Sequence, residues 1–582
     1  MTERMIGPEW GWDATGPVWG TRVFAPKTGQ DHLGLGSVSS DRILPQLSPG
    51  INVLTIHPRY WSFYAWVLDD FWATDLPRTR AAFREFYRPR EAIFSMACHV
   101  CDAPGHPNPF PNVVGNRRIS PLVSSSSFDP QFDYIKEALG GYSLYYRSTM
   151  EMMGAIVLAG PDTGFPFDAP TPVGRALAEA FRSAVSGTAV AGQLSRGDVT
   201  TPIGRQSLAE FARKACLCQL RDADTTDLPL LQDMFLHAGG IGESLSRSES
   251  LRLLLDLSAC TPDSPIGQDE FRQLVYFREL DDSTFDPRGD LVDVARRWRV
   301  YQAREYFSYA FNRLLRWVSR RGLLATDGGL VSLSAADLWR IVDEALDRGG
   351  ESPLWRSVTS SIEAKTPATE LYAHVVGELD AAATTGDDVW RRHYILDEHK
   401  LYVMCRDRDE DDGETLVALL VLILLLRARF GVPQRWGEYP GEQGLLEEGG
   451  TARIGMGRFM RFLNRQLMRG ASCGALLKWL IEDFVIVQHE RVAASKLPDD
   501  TYRVRRVGDS IRFFAQEVPA AFNDSRFIAL STSVHELGFV SSFREPNRTL
   551  TAAGTTLLAK GDLKPGALSA AAAPFDTGII DA

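Results

Sequence analysis

Apolar positions recur every three to four residues through most of this chain, which is the spacing of one helix face. Tyr60, Trp61, Phe63, Tyr64, Trp66, Phe71 and Trp72 crowd the stretch after Ile51 so densely that they predict a helix buried on most sides. Phe83, Phe86 and Tyr87 predict a second helix over 78–96. Residues 206–350 follow helical periodicity, with Ser334-Ala335-Ala336-Asp337 reading as a capping-box-like start. Further helices are predicted over 415–430, 457–469 and 473–495. The most apolar run, Leu416 to Leu426, is eleven residues long, against the ~20 that span a bilayer. Asp411, Asp412 and Glu414 close one end, and Arg427 and Arg429 the other. It therefore predicts a buried core helix and not a membrane span.

The polar breaks divide this pattern. Residues 1–50 are rich in Gly, Pro and Ser and read as loops and short turns. A proline-rich loop runs from Ala103 to Pro111, and Ser124 to Ser127 forms a connection. Ala381 to Asp388 reads as a linker and Asp407 to Glu414 as an acidic loop. Val504 to Phe514, with Gly508-Asp509 at its middle, predicts a hairpin. The tail after Lys564 is expected to be poorly ordered. Single cores stop growing near ~250–300 residues, so the 582 residues are expected to divide into 1–190, 191–385 and 386–582.

One pattern occurs twice. Met153-Gly154-Ala155-Ile156-Val157 is followed by Thr171-Pro172-Val173-Gly174, and Leu537-Gly538-Phe539-Val540 by Thr551-Ala552-Ala553-Gly554. Each reads as a helix stopped by glycine, a strand, a turn, and a threonine capping a new helix. This resembles the end of a winged-helix domain. Asp327-Gly328-Gly329, after Arg321-Gly322-Leu323-Leu324, suggests a third, weaker wing. The fold class expected is mainly α: a multi-domain helical protein with small winged-helix-like β-hairpins.

Hydrophobic residues make up 44% of the chain, enough for a sizeable core. The net charge of −11 excludes a general nucleic-acid coat, because phosphate binding needs clustered cations; only a local patch serves that purpose. Seven cysteines read as reduced thiols and not as a disulfide framework. Met1 to Trp12 carries no apolar signal segment. A soluble, cytoplasmic protein is expected.

Arg458, Arg461, Arg465 and Arg469 are spaced three, four and four apart, so they share one side of a helix. No acidic residue interrupts Gly457 to Gly470. Four like charges repel, and phosphates suit the planar guanidinium fork. The competing reading is a solvated face paired with acids from elsewhere. A second cluster includes Arg313, Arg316 and Arg320, interleaved with aromatics as on a nucleic-acid surface. The same composition also describes a long helix with a buried aromatic stripe. The helices before Gly154 and Gly538 lack the side chains that read bases, so structural or docking roles are expected for both wings.

Other chemistry is weaker. Cys98, Cys101 and His106 form one knuckle of a zinc site without a second C-x2-C, and Cys216-Leu217-Cys218 is a poor chelate by itself. Ordinary thiols are the expectation, with no metal and no cofactor. Glu363-Ala364-Lys365 and Glu398-His399-Lys400 match half of a metal-dependent nuclease core. That core requires Glu398 and Lys400 on a strand, joined by an upstream carboxylate such as Asp387 or Asp388; a helix or open loop there removes it. His393 and His399 could be drawn into the same site. Asp407-x-Asp409-x-Asp411 imitates a calcium loop but lacks its glycine and its closing glutamate. No catalytic residue is assigned.

Leu33-Gly34-Leu35-Gly36, Leu44-Pro45-Gln46-Leu47-Ser48-Pro49-Gly50 and Thr55-Ile56-His57-Pro58-Arg59-Tyr60, followed by the aromatic helix, resemble the N-terminal block of large bacterial proteins of unknown function. The segment Asp483 to Leu497 is similar to proteins found beside antiphage-defence genes. The resemblance implies a component of a bacterial defence or DNA-transaction system. Together with the arginine clusters, the leading expectation is a non-enzymatic, mostly helical scaffold of a multi-protein defence system, binding double-stranded DNA backbone or a partner ATPase or nuclease. The alternatives are a metal-dependent nuclease subunit centred on Glu398 and Lys400, and a protein-docking adaptor without nucleic-acid binding.

Overall fold

The computed structural model describes residues 31–563, apart from 108–109, 196–198, 200, 222–224, 281–282, 326–331, 360–361, 383–395, 407–412, 432–439, 450–453, 498–500 and 515–517. The linker at 381–388 therefore lies mostly outside the described residues. The calcium-like loop, save Gly413 and Glu414, and the tail after Lys564 lie outside them as well.

The protein is mainly α, with small antiparallel β-hairpins. The aromatic run forms the helix Arg59–Trp72, buried on nearly every side. It packs along the helix Pro172–Val185, with Trp66 against Phe181 at 5.3 Å, and Phe63 stacks at 4.1 Å on Phe94 of a second helix. The second predicted helix spans Arg80–Val100, where Thr79 accepts a capping hydrogen bond from the Ala82 amide. It runs past 96 because Ala97, Cys98 and Val100 continue its buried face.

The longest helix, Val292–Leu324, is the middle beam. Trp298, Tyr301, Tyr306, Phe307, Tyr309, Phe311 and Trp317 are all buried on it, pointing to different sides. The helices Ile241–Cys260, Gln268–Phe277 and Gly413–Phe430 pack against it. Gly413–Phe430 contains the apolar run, buried from Thr415 to Leu426. It lies against Ala335–Gly350, where the Gly349 and Gly413 backbones approach so closely that a Cβ on either would strike the other helix. Among the described residues no helix is long and apolar enough to cross a membrane.

Both copies of the repeated pattern fold alike. Gly154 and Gly538 turn the chain at φ 67° and 77°. The next amides bond back into the preceding helices, Ala155 N–H to Met150 C=O and Phe539 N–H to Val534 C=O. Ile156 then faces Pro170, and Val540 faces Leu550, each one residue before the capping threonine. Thr171 and Thr551 each donate to the glycine carbonyl at 2.6 Å and accept from the amide of Gly174 or Gly554.

The predicted hairpin is present as Val504–Val507 and Ser510–Phe513. The turn residues of the suggested third wing lie outside the described residues. The strand that follows them, Ser332–Ser334, pairs with Ser510–Phe513 and makes a three-stranded sheet. Ser334 caps the next helix as its sequence implies, accepting from the Asp337 amide.

Contacts cross the expected divisions at 190 and 385. The helices Phe527–Glu536 and Ala552–Lys560 pack on Ile241–Cys260. Arg526 donates to the carbonyls of Leu44, Ser48 and Ile51. The stretch 31–50 is accordingly not only loop: it forms short buried helical turns over 36–47, with Leu33, Ile43 and Leu47 fully enclosed.

Candidate functional site

The basic helix face exists as the spacing implies. Met456–Met468 buries Phe459, Met460, Leu463 and Leu467 and turns Arg458, Arg461 and Arg465 to solvent, with Arg469 exposed at its C-terminal cap. Phe459 anchors the helix among Phe307, Phe311 and Phe484. On the outer face Phe462 lies between Arg458 and Arg465, whose guanidinium carbons sit 5.5 and 4.7 Å from its ring centre. That contact holds two charges on one side of the helix. Arg461 forms a two-pronged ion pair with the exposed Glu447. Among the described residues Arg458, Arg465 and Arg469 have no carboxylate within ion-pair distance.

The second arginine cluster is not one surface. Arg313 is 2% exposed and donates to the Cys405 carbonyl at 3.3 Å. Arg316 is half-buried with its Nε shut away from solvent. Arg320 is exposed. The long helix is enclosed around most of its length, so of these three arginines only Arg320 faces outward.

A basic feature that helix spacing does not reveal lies on the hairpin. Arg505 and Arg512 are directly opposed across the two strands, and both are exposed. Like charges facing each other destabilise a strand pair. Arg505 leans on Tyr502 and Arg512 on Phe514, at 5.1 and 5.3 Å. Strand pairing between two arginines seven residues apart is the signal, once the Gly508 turn fixes the register.

The strand needed for a nuclease core is absent: Glu398–Arg406 is a helix. Glu398 is fully buried, its carboxylate bound by Arg429 at 2.5 and 3.0 Å and by the Tyr276 hydroxyl at 2.8 Å. Asp397 accepts from the Lys400 amide. Glu363 and Lys365 pair with each other in a turn. Asp387, Asp388 and His393 lie outside the described residues.

On the helices before the wings the basic side chains are engaged within the chain. Arg147 is committed to Asp168 through two hydrogen bonds of 2.5 and 2.7 Å. His535 contacts Arg221, and Glu536 binds His57.

The fold also gathers a cluster that the sequence divides. The helix Arg80–Val100 ends at Cys101, and Arg205–Ala215 ends at Cys216. These two helices pack together, so their C-terminal ends meet. Cys101, His106, Cys216 and Cys218 place their ligand atoms within 4.8 Å of one another. Cys101 Sγ lies 3.8 Å from Cys218 Sγ, and His106 Nδ1 lies 3.2 Å from Cys218 Sγ and 3.7 Å from Cys216 Sγ. Hydrogen bonds from Cys216 and Cys218 pull the Cys101 thiol down to about 3, and those same contacts push Cys218 up. Cys98, the other half of the C-x2-C, is buried outside the set. Its C-x2-C partner and His106 were legible as ligands; Cys216 and Cys218 complete the group from more than a hundred residues away.

Compared with known proteins, the chain matches no family model, no curated protein and no solved structure.

Proposed function

We propose that this chain is a non-enzymatic helical scaffold that docks on the phosphate backbone of double-stranded DNA, as a cytoplasmic component of a bacterial antiphage complex with an ATPase or nuclease partner. The observation that carries the DNA contact is the outer face of Met456–Met468. Its arginines Arg458, Arg465 and Arg469 are exposed and lack carboxylate partners among the described residues, in a chain that is acidic overall. A chain with surplus carboxylates has ample means to neutralise a stripe, and among the described residues only Arg461 of this one is paired with a carboxylate. Arg505 and Arg512 on the hairpin add a second exposed cationic pair. Arg313 and Arg316 have no part in the contact. The defence setting rests on the N-terminal resemblance alone.

Contact through backbone phosphates fits the absence of base-reading side chains on the helices before the wings. A second reading, protein docking without nucleic acid, draws on Arg461. Its pairing with Glu447 is a small version of an acidic partner surface seated on the same stripe.

The test is binding of the purified chain to duplex DNA across a salt series, with magnesium present so that cleavage is visible. It is run beside an Arg458→Glu, Arg465→Glu, Arg469→Glu variant. Three phosphate contacts give a slope of log K against log salt near roughly −2.7. The reading expects that slope or a steeper one in the parent, lost binding in the variant, and intact DNA in both. Absence of binding by folded protein at low salt, or equal binding by the variant, overturns it.

A further inference from the structure

We propose that Cys101, His106, Cys216 and Cys218 bind one zinc ion in a closed, tetrahedral, structural site.

All four ligand atoms lie within 4.8 Å of one another, and three of their separations are close to those of a tetrahedron around a single ion. With Zn–S bonds of about 2.3 Å, two sulfurs of a tetrahedral site stand about 3.8 Å apart, and with Zn–N near about 2.0 Å a sulfur and a nitrogen stand about 3.5 Å apart. Cys101 and Cys218 are separated by 3.8 Å, and His106 Nδ1 stands 3.2 Å from Cys218 Sγ and 3.7 Å from Cys216 Sγ. A disulfide requires about 2.05 Å between sulfurs, and all four cysteines of this region, Cys98 included, are free thiols.

The donor set selects the metal. Three sulfurs and one imidazole suit zinc and exclude magnesium and calcium, which take oxygen ligands. Four protein ligands fill the tetrahedron and leave no position for substrate, which is the structural kind of site. Cys101 and Cys216 are buried, while His106 and Cys218 are half-buried and give the ion its route in.

The surroundings are built for it. The Gln219 side-chain amide donates to Cys218 Sγ at 3.1 Å, as a group stabilising a thiolate would. The Cys216 carbonyl accepts from Arg59 at 2.7 Å. Arg59 is fully buried and held by Asp227. His106 stacks on Phe110 at 5.1 Å, which fixes the ring plane. On the outer side Asp102 and Arg213 form an exposed ion pair between the same two chain segments.

Binding involves no redox change. Three Zn–S bonds and one Zn–N bond form, the S–H bonds of Cys101, Cys216 and Cys218 break, and their three protons leave to solvent. The ion would join the ends of Arg80–Val100 and Arg205–Ala215 and tie His106 of the following loop to them.

The test is elemental analysis by plasma mass spectrometry of the full chain, expressed in zinc-containing medium and purified without a metal-affinity tag or chelator. Wild type is expected to carry about one zinc per chain. Cobalt exchanged into the site is expected to give thiolate charge-transfer and intense tetrahedral d–d absorption. Cys216→Ser and Cys218→Ser should lose the metal, and Cys98→Ser should keep it. If the serine variants fail to fold, His106→Cys, which preserves four ligands, should still bind one ion. Folded wild type without zinc that also gives no tetrahedral cobalt spectrum overturns the proposal. Loss of metal in Cys98→Ser with retention in Cys218→Ser overturns it equally, since that is the knuckle the sequence alone suggests. Neither result depends on DNA binding.

Discussion

His57 and Glu536, 479 residues apart in the chain, share a buried hydrogen bond of 2.7 Å between Nδ1 and Oε1. The other ring nitrogen of His57 faces the Pro111 carbonyl at 3.0 Å. Both neighbours of the ring are acceptors, so both nitrogens need protons and the imidazole is a cation. Burial works against that charge. The Glu536 carboxylate and the Pro111 carbonyl outweigh burial, and Arg544 opposes them weakly, so the His57 pKa is raised above 6.5. A raised histidine contributes stability that is fully present below the unfolded value and is lost as pH rises through the folded one. Urea unfolding of wild type and Glu536→Gln at pH 6 and pH 9 should therefore show a gap that shrinks at the higher pH. At pH 6 the gap should approach the roughly 3–5 kcal/mol typical of breaking a buried pair. An equal gap at both values would mean that His57 is neutral.

Glu398 and Arg429 make a different prediction, because their work is internal. Both side chains are fully buried and joined by two hydrogen bonds. Glu398→Ala strands the Arg429 charge without its carboxylate and should cost roughly 3–5 kcal/mol. Glu398→Leu with Arg429→Met should recover much of that loss, since apolar residues of similar volume fill such sites without desolvation cost. Chemical denaturation of both singles and the double closes the cycle. A nuclease role for Glu398 requires instead that a folded Glu398→Gln chain lose a magnesium-dependent DNA cleavage that wild type displays.

Local order was legible wherever one segment decides its own structure. The helices predicted over 415–430, 457–469 and 473–495 correspond to Gly413–Phe430, Met456–Met468 and a continuous helical stretch over 473–494. The threonine caps and glycine turns of the repeat were legible because each needs a particular residue at a particular backbone position. The buried turns over 36–47 were not, since a Gly- and Ser-rich stretch reads as loop until Arg526 arrives from the far end of the chain to satisfy its carbonyls. The sulfur cluster failed to read for the same reason. Cys98 lies within its helix, beside Cys216 but outside the four-residue set, while Cys216 and Cys218 enter only because the C-terminal ends of two helices meet.

The two arginine clusters look alike in composition and part in structure, and stability measurements should separate them. Arg313 is enclosed and bonded to the Cys405 carbonyl; Arg320 on the same helix is exposed. Arg313→Ala removes a buried donor and its packing and should destabilise by roughly 2–4 kcal/mol. Arg320→Ala should stay within about 0.5 kcal/mol. Thermal unfolding of the two variants is sufficient. A large loss for Arg320→Ala would show that the end of the long helix is tied down by its side chain.

The two repeated motifs allow an internal comparison. In each, the glycine three residues after the capping threonine presses on a carbonyl of the preceding turn: Gly174 on Ala155, and Gly554 on Phe539. A methyl group at either position collides with backbone, which cannot rotate aside as a side chain can. Gly174→Ala and Gly554→Ala should each cost roughly 1–3 kcal/mol. Thr171→Ala and Thr551→Ala remove a cap and a hydrogen bond to the glycine carbonyl, and each should cost about 1 kcal/mol. Because the bonds repeat atom for atom, the ranking of glycine above threonine should be the same in both copies. Differential scanning calorimetry of the four variants reads this directly. A copy that tolerates its alanine would be one whose capped helix shifts on its neighbours, and the candidate is Ala552–Lys560, whose strand pairing is a single bridge where the first copy has two paired residues.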